Sequence, residues 1–315
     1  MKQIVYGWLA LGLFAGAVGQ GRTDYAFSTI DYPGALLTFA EGINASGQVV
    51  GVYLGQDSRD HGFLFSGGTY RSFDVPGAFG LTDAKAINNA GQIVGRYDVS
   101  FTAINGFLRN GDAYTTLAVP GAMYTEAHGI NDAAQICGFA ATNFSSPNHG
   151  FLFSNGIYTS FDVPNSAATR ALGINNAGQI VGEYFDPVTT KGHGFLRNGD
   201  NYVTLDFPGS ALTAATAINN SDRVVGVMDA NKAFVFEGGG FSTLDVPGAS
   251  YTDADGINDS NQIVGTYIDG SGTHGYLATP LTAPVPEPSS GMLLALGVAC
   301  LLGCTWRRRR ASATA

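Results

Sequence analysis

The chain has 315 residues, a net charge of −9 and only 13% charged residues, with 45% hydrophobic residues, 11% aromatic residues and 44 glycines. That balance excludes a disordered chain, because Val, Ile and the aromatics suffice to bury a core. Between the two end segments, 11 basic residues (16 less Lys2 and Arg307 to Arg310) face 24 acidic ones (25 less Glu287), about −13 in all; such a surface repels phosphate backbones, so no nucleic-acid partner is expected.

Residues 1–19 carry one lysine, an apolar run from Ile4 to Val18, and small residues at Ala17 and Gly19. This is the pattern of a signal peptide cleaved after Gly19. As an anchor the run falls short of the roughly 20 residues that a spanning helix needs.

Residues 20–279 hold one unit written six times. Each copy reads aromatic-x-Ser/Thr-apolar-Asp-x-Pro-Gly, Thr-x-Ala-x-Gly/Ala-Ile-Asn, Gln-Ile/Val-Val-Gly-x-Tyr and His-Gly-Phe-Leu, and its asparagines fall at Asn44, Asn88, Asn131, Asn175, Asn219 and Asn258. A fixed period of about 44 residues marks stacked units that cannot bury their apolar faces alone. The four segments per unit are bounded by Gly, Asn and Pro and lack helical periodicity, so they are predicted to be strands. The sixth copy ends at His274-Gly275-Tyr276-Leu277 without its last strand, and that strand stands at the start, Phe27 to Gly34. The expected fold is therefore all-β, a six-bladed β-propeller of four-stranded repeats closed by the N-terminal strand, since closure removes exposed edges. A β-solenoid is the alternative.

Within five of the copies, folding the chain about Gly67-Gly68, Gly111-Asp112, Asn155-Gly156, Gly199-Asp200 and Gly238-Gly239 gives two-residue hairpins. That register sets His61 opposite Asp74, His149 opposite Asp162 and His193 opposite Asp206, with His274 opposite Asp31 at the closure. The copy that has Ala118 for the acid has Asn105 for the histidine, and Lys232 stands opposite Asp245. A pair repeated in nearly every unit reads as a structural brace; an active site is needed once. Cys137 occupies a position that is valine in the other copies, and Cys300 and Cys304 lie in the tail, so a buried apolar thiol is expected and no disulfide.

Positions that vary among copies are candidates for a site. The strand Thr-x-Ala-x-Gly/Ala-Ile-Asn varies at two places, and alternation puts both on one face. If that strand is innermost, Glu41, Lys85, Glu126, His128 and Asp255 gather at the central channel as ligand-binding candidates. Asp253 to Asn261 has the look of a calcium loop but lacks the spacing and the terminal Glu; it reads as the turn found in every copy, with at most weak Ca²⁺ binding and no resident metal or cofactor. No catalytic residue is assigned. Tyr53, Tyr97, Tyr184 and Tyr267 end the Val-Gly-x-Tyr strands, where core packing or stacking on sugars is open to them.

Residues 280–290 form a Pro-rich linker containing Pro286-Glu287-Pro288, and residues 291–315 a short apolar stretch with the basic run Arg307 to Arg310. The positive-inside tendency keeps those arginines cytoplasmic, so the stretch reads as a transient transmembrane anchor. These three ordered elements resemble the PEP-CTERM sorting signal. The resemblance implies recognition and removal of the tail by an exosortase-type enzyme in a Gram-negative bacterium, and a secreted or cell-surface location. The repeats, through Gly-Ile-Asn, Gln-Ile-Val-Gly and Lys232-Ala233-Phe234, resemble the HAF family of extracellular repeats, which implies export and repeated β structure and no defined reaction.

The functional expectation is a non-enzymatic, monomeric propeller that binds or scaffolds extracellular material, foremost matrix polysaccharide. The alternative is a glycan-cleaving enzyme with channel acids, Glu126 and Asp255 first among them, because glycoside chemistry commonly uses paired carboxylates.

Overall fold

Gly67 and Gly68, at φ of 56° and 81°, reverse the chain so that Ser66 pairs with Thr69, and Asn155 and Gly156, at 51° and 82°, do the same between Ser154 and Ile157. Positive φ at both central positions matches the right-handed twist of the flanking strands, which is why Gly and Asn recur there. The computed structural model describes residues 24–281 with the exception of Ala230, and every element among them is a strand. The signal peptide, the greater part of the linker with its Pro-Glu-Pro motif, and the tail lie outside the described residues.

The described residues open with β1 (Tyr25–Ile30). A four-stranded antiparallel unit follows, β2 (Leu37–Ile43), β3 (Val49–Leu54), β4 (Asp60–Ser66) and β5 (Thr69–Phe73). The same order recurs in β6 (Thr82–Ile87), β7 (Ile93–Ser100), β8 (Ala103–Asn110) and β9 (Ala113–Leu117), and in β10 (Tyr124–Ile130), β11 (Ile136–Ala141), β12 (His149–Ser154) and β13 (Ile157–Phe161). Next come β14 (Ala168–Ile174), β15 (Ile180–Phe185), β16 (Gly192–Asn198) and β17 (Asn201–Leu205), then β18 (Thr213–Ile218), β19 (Val224–Met228), β20 (Lys232–Glu237) and β21 (Gly240–Leu244). In the last unit β22 (Tyr251–Thr252) and β23 (Gly256–Ile257) share the innermost place on β24 (Ile263–Ile268), β25 (Thr273–Pro280) follows, and β1 fills the outer place. In that last pairing Ile30 faces Gly275 and Thr29 faces Tyr276.

The arrangement is all-β and propeller-like. Where the repeats predict separate four-stranded sheets, hydrogen bonding joins the strands into three sheets of four, one of five and one of eight. The eight-stranded sheet arises because the β7–β8 hairpin is long: Ile104 reaches β10, its N–H donating to Met123 O at 3.1 Å and its Cα pairing with Tyr124.

Six asparagines tie the units together. Each Asn side chain folds back on its own turn, as Asn131 Oδ1 does in accepting from Ala133 N and Gln135 N at 3.1 and 3.0 Å. Each then donates to the next unit's main chain: Asn44 to Asn88 O, Asn88 to Asn131 O, Asn131 to Asn175 O, Asn175 to Asn219 O and Asn219 to Asn258 O. Asn258 donates to Asn44 O at 3.0 Å, across 214 residues of sequence, and the circuit returns to its origin.

The core lies between neighbouring units, where Ala84, Ile87, Ile93 and Phe107 pack on Val50, and Cys137 packs with Val163, Ala171 and Ile180 of the next unit. Cys137 is fully buried, and burial pushes its thiol up to about 12, so it behaves as a small apolar side chain. A Cβ on Gly138 would stand 2.0 Å from Glu126 O, so β11 can lie against β10 only with glycine there.

Candidate functional site

The innermost strands carry a β-bulge at equivalent places, between Ala40 and Gly42, Ala84 and Ala86, Ala127 and Gly129, Ala171 and Gly173, and Ala215 and Ala217. A bulge leaves one residue unpaired and re-aims its side chain. The unpaired residues are Glu41, Lys85, His128, Leu172 and Thr216; together with Asp255, which lies in the break between β22 and β23, they line the central channel. Four of the five channel candidates, Glu41, Lys85, His128 and Asp255, are thus brought together. Glu126 departs from the expectation. The bulge breaks the alternation that would have put it on the channel face, and it is 4% exposed behind the lining.

The channel side chains are bound to one another. Lys85 Nζ lies 3.0 Å from both Glu41 Oε1 and Asp83 Oδ2. Arg96 donates to Asp83 Oδ2 at 3.1 Å and to Glu126 Oε1 at 2.7 Å, while Glu126 also takes bonds from His128 Nε2 at 2.7 Å and from the Tyr124 hydroxyl. Burial works to raise the Glu126 carboxyl, but His128, Arg96 and Lys85 hold it below the ordinary range. His128 is lowered by burial in spite of Glu126. On the opposite side burial, then the charges of Asp253 and Glu41, raise Asp255 well above the usual carboxylate range, and burial likewise raises Asp253. Glu41 is raised to about 7, by burial first, because Lys85 is shared with Asp83 and a further acid, Asp253, adds repulsion. The cavity lined by Glu41, Lys85, His128 and Asp255 measures about 80 Å³, as does the one at the asparagine end. That admits a few waters, while ligand sites commonly run to roughly 300–1,000 Å³.

Histidine and aspartate pairs stand beside the outer strand in four of the units. His61 Nδ1 lies 2.9 Å from Asp74, His149 Nδ1 2.8 Å from Asp162, His193 Nδ1 2.9 Å from Asp206, and His274 Nδ1 2.8 Å from Asp31, the last joining the two ends of the repeat array. His61 also contacts Asp57 at 3.1 Å; although burial opposes it, hydrogen bonds to Asp74 and Asp57 raise its pKa. Directly across the ladder from His61, His193 and His274 stand Tyr53, Tyr184 and Tyr267, stacked on them at ring separations of 5.1–5.2 Å.

In the third unit a larger pocket, about 590 Å³, opens beside β11, β12 and β13, lined among others by Val119, His149, Phe151, Tyr158 and Ser160. Of its lining, the sequence pattern marked only His149, as a brace, and Gly156, as a turn residue. The signal was present in one column: the position filled by Tyr53, Tyr97, Tyr184, Met228 and Tyr267 is Ala140 in this unit alone.

The Asp253 to Asn261 segment ends in the turn of every unit, Asn258 N donating to Gln262 O, and among the described residues no group of three or more His, Cys, Asp or Glu side chains is placed to hold a metal. No helix among the described residues is long and apolar enough to cross a membrane, and the apolar stretch of the tail lies outside them.

Residues 284–310 match the PEP-CTERM protein-sorting motif, a signal of exported proteins that implies processing by an exosortase. No curated protein matches the chain. Among solved structures, the SapL1 lectin in complex with α-methyl fucoside is similar at 14% identity over 80% of this chain and 98% of its own, with a TM-score of 0.52. The fucose-specific lectin of Aleuria aurantia is similar at 14% identity over 81% and 100%, with a TM-score of 0.51. A gluconolactonase from Xanthomonas campestris is similar at 10% identity over 82% and 96%, with a TM-score of 0.50. At such identities the likeness is one of fold, and the chain is an all-β, propeller-like protein with a C-terminal sorting signal.

Proposed function

We propose that the chain is an exported, six-bladed propeller that binds extracellular polysaccharide and does not cleave it. The six-blade count is supported by the asparagine circuit, which has six members and closes; the eight-stranded sheet is then two blades bridged at Ile104 and Tyr124. The sorting signal supports export, and the extent of residues 1–19 as leader, the Gram-negative source and the HAF kinship rest on the sequence patterns alone. Solved propellers of similar fold include proteins crystallised with fucosides, which favours a carbohydrate as the ligand class.

The observation that carries the non-enzymatic reading is the contrast between the two cavities. The acids sit in a channel with room for water only, and Glu126 is held by an arginine, a histidine and a tyrosine, whereas the roomy pocket is walled by apolar side chains with few polar groups, the usual make-up of a binding site. Incubation of the full chain with the producing cell's matrix polysaccharide tests this. Retention of the protein on polymer of unchanged length is the expected result, and new reducing or unsaturated ends would establish the glycan-cleaving alternative.

A further inference from the structure

The pocket of the third unit is the imprint of a missing ring. In four units a tyrosine stands at the end of the second strand, and its hydroxyl bonds a Ser or Thr on the outer strand: Tyr53 to Ser72 at 2.9 Å, Tyr97 to Thr116 at 3.0 Å, Tyr184 to Thr204 at 3.1 Å and Tyr267 to Thr29 at 2.9 Å. In a fifth unit Met228, 4% exposed, fills the place. Ala140 ends the corresponding strand in the third unit, directly across from His149, and the outer-strand hydroxyl is kept as Ser160, opposite Phe151 just as Ser72 is opposite Phe63. The consequence shows on the histidine. His149 is 54% exposed, against 17%, 24% and 18% for His61, His193 and His274, which have their tyrosine covers.

The geometry points to this vacancy as a binding slot for one pyranose ring, entering where the tyrosine ring stands in the other units. This rests on the polysaccharide-binding reading and assigns it a site. The apolar walls, Val119, Phe151 and Tyr158, suit the C–H face of a sugar, while Ser160 Oγ answers a ring hydroxyl as Ser72 answers the phenol of Tyr53. His149 adds a second polar contact. Its Nδ1 is taken by Asp162, so with the proton there Nε2 is an acceptor for another sugar hydroxyl. Because most of the lining is apolar, a ring with one methyl edge, a 6-deoxyhexose, fits better than a fully hydroxylated hexose, whose extra hydroxyl would be buried without a partner.

The test restores the ring from within. Ala140→Tyr closes the slot by the same side chain that closes it in four sister units, and Ala140→Met by the side chain of the fifth. Binding of methyl α-fucoside and of matrix polysaccharide is measured by calorimetry on full-length wild type, on both variants and on Ser160→Ala. The expected result is binding by wild type, at least a tenfold loss in each filled variant at undiminished melting temperature, and roughly a fivefold loss in Ser160→Ala, the worth of one neutral hydrogen bond. If Ala140→Tyr misfolds, Ala140→Met carries the comparison. Equal polysaccharide binding by wild type and the filled variants would overturn the slot and leave the polysaccharide-binding reading standing elsewhere on the surface. Failure of wild type to bind either sugar or polymer would overturn both.

Discussion

Removing the side chain of Asn258 tests the closure of the ring directly. Asn258 donates to Asn44 O at 3.0 Å and Gln262 Oε1 at 2.9 Å, and accepts from Ser260 N and Gln262 N at 3.0 Å each, while being 4% exposed. Asn258→Ala therefore deletes four bonds and leaves the Asn44 carbonyl without this donor. At about 1 kcal/mol net per bond the loss is roughly 4 kcal/mol, reduced to about 3 kcal/mol if water reaches the turn. For a domain of this size that corresponds to a fall in melting temperature of about 6–12 °C. Asn131→Ala is the control, because Asn131 makes the same four bonds between two units consecutive in sequence. Calorimetric melting of the two variants and wild type is the assay, and equal losses are expected. Should Asn258→Ala melt like wild type while Asn131→Ala is destabilised, the link between the last unit and the first does not exist, and a closed circuit is the wrong description.

Further outcomes follow from the same geometry. Gly138→Ala would drive a Cβ to within 2.0 Å of Glu126 O and should destabilise by about 3 kcal/mol or abolish folding, whereas Gly111→Ala, at a turn with open space around it, should cost roughly 1 kcal/mol for its φ of 61°. The raised pKa of His61 means that its pairing with Asp74 and Asp57 contributes stability in full below the ordinary histidine range and loses it as pH rises through the shifted value. The stability gap between wild type and His61→Ala, read from denaturant titrations, should accordingly be wider at pH 5.5 than at pH 8.5; a gap independent of pH would refute the pairing as an energetic contribution. Glu41, raised to about 7, gives linkage of the same sign at lower pH: the unfolded chain ionises it near 4.5 and the folded one only near 7, so wild type loses stability as pH rises across that interval. Glu41→Gln should gain on wild type between pH 5 and pH 8, and a constant difference would show that Glu41 is ionised throughout.

The repeat period and the misplaced first strand were legible because both are matters of pattern: a unit that ends without its outer strand at Leu277 and a lone matching strand at Phe27 can satisfy their edges only together. The contact of His149 with Asp162, 13 residues away, follows from the two glycine-permitted residues between them. What pattern could not deliver was the bulge. Strict alternation sends Glu126 and His128 to one face, but inner strands that approach so closely that a Cβ on Gly42 would lie 2.8 Å from Ala86 Cα leave no room for two polar rows. One residue per unit is pushed into the channel, and in the second and third units the acid two positions before it, Asp83 or Glu126, is buried beside it. The joining of two sheets through Ile104 escaped for a related reason, since it depends on hairpin length and not on residue type. The pocket of the third unit was legible in principle, as a column of tyrosines interrupted by Ala140, but an alanine in a strand attracts notice only when the space it leaves can be seen.

The pairing of β1 with β25 places the closing contact between residues 249 apart in sequence, Ser28 and Leu277. Contacts of such separation form late, because the loop entropy they require is the largest in the chain. Until β25 is available, β1 presents unsatisfied amides along its length and the last unit lacks its outer strand, two complementary half-sites on one molecule. At high concentration the opening strand of one copy can meet the final unit of another before its own, so slow refolding of dense samples should yield strand-exchanged dimers that dilution before folding avoids.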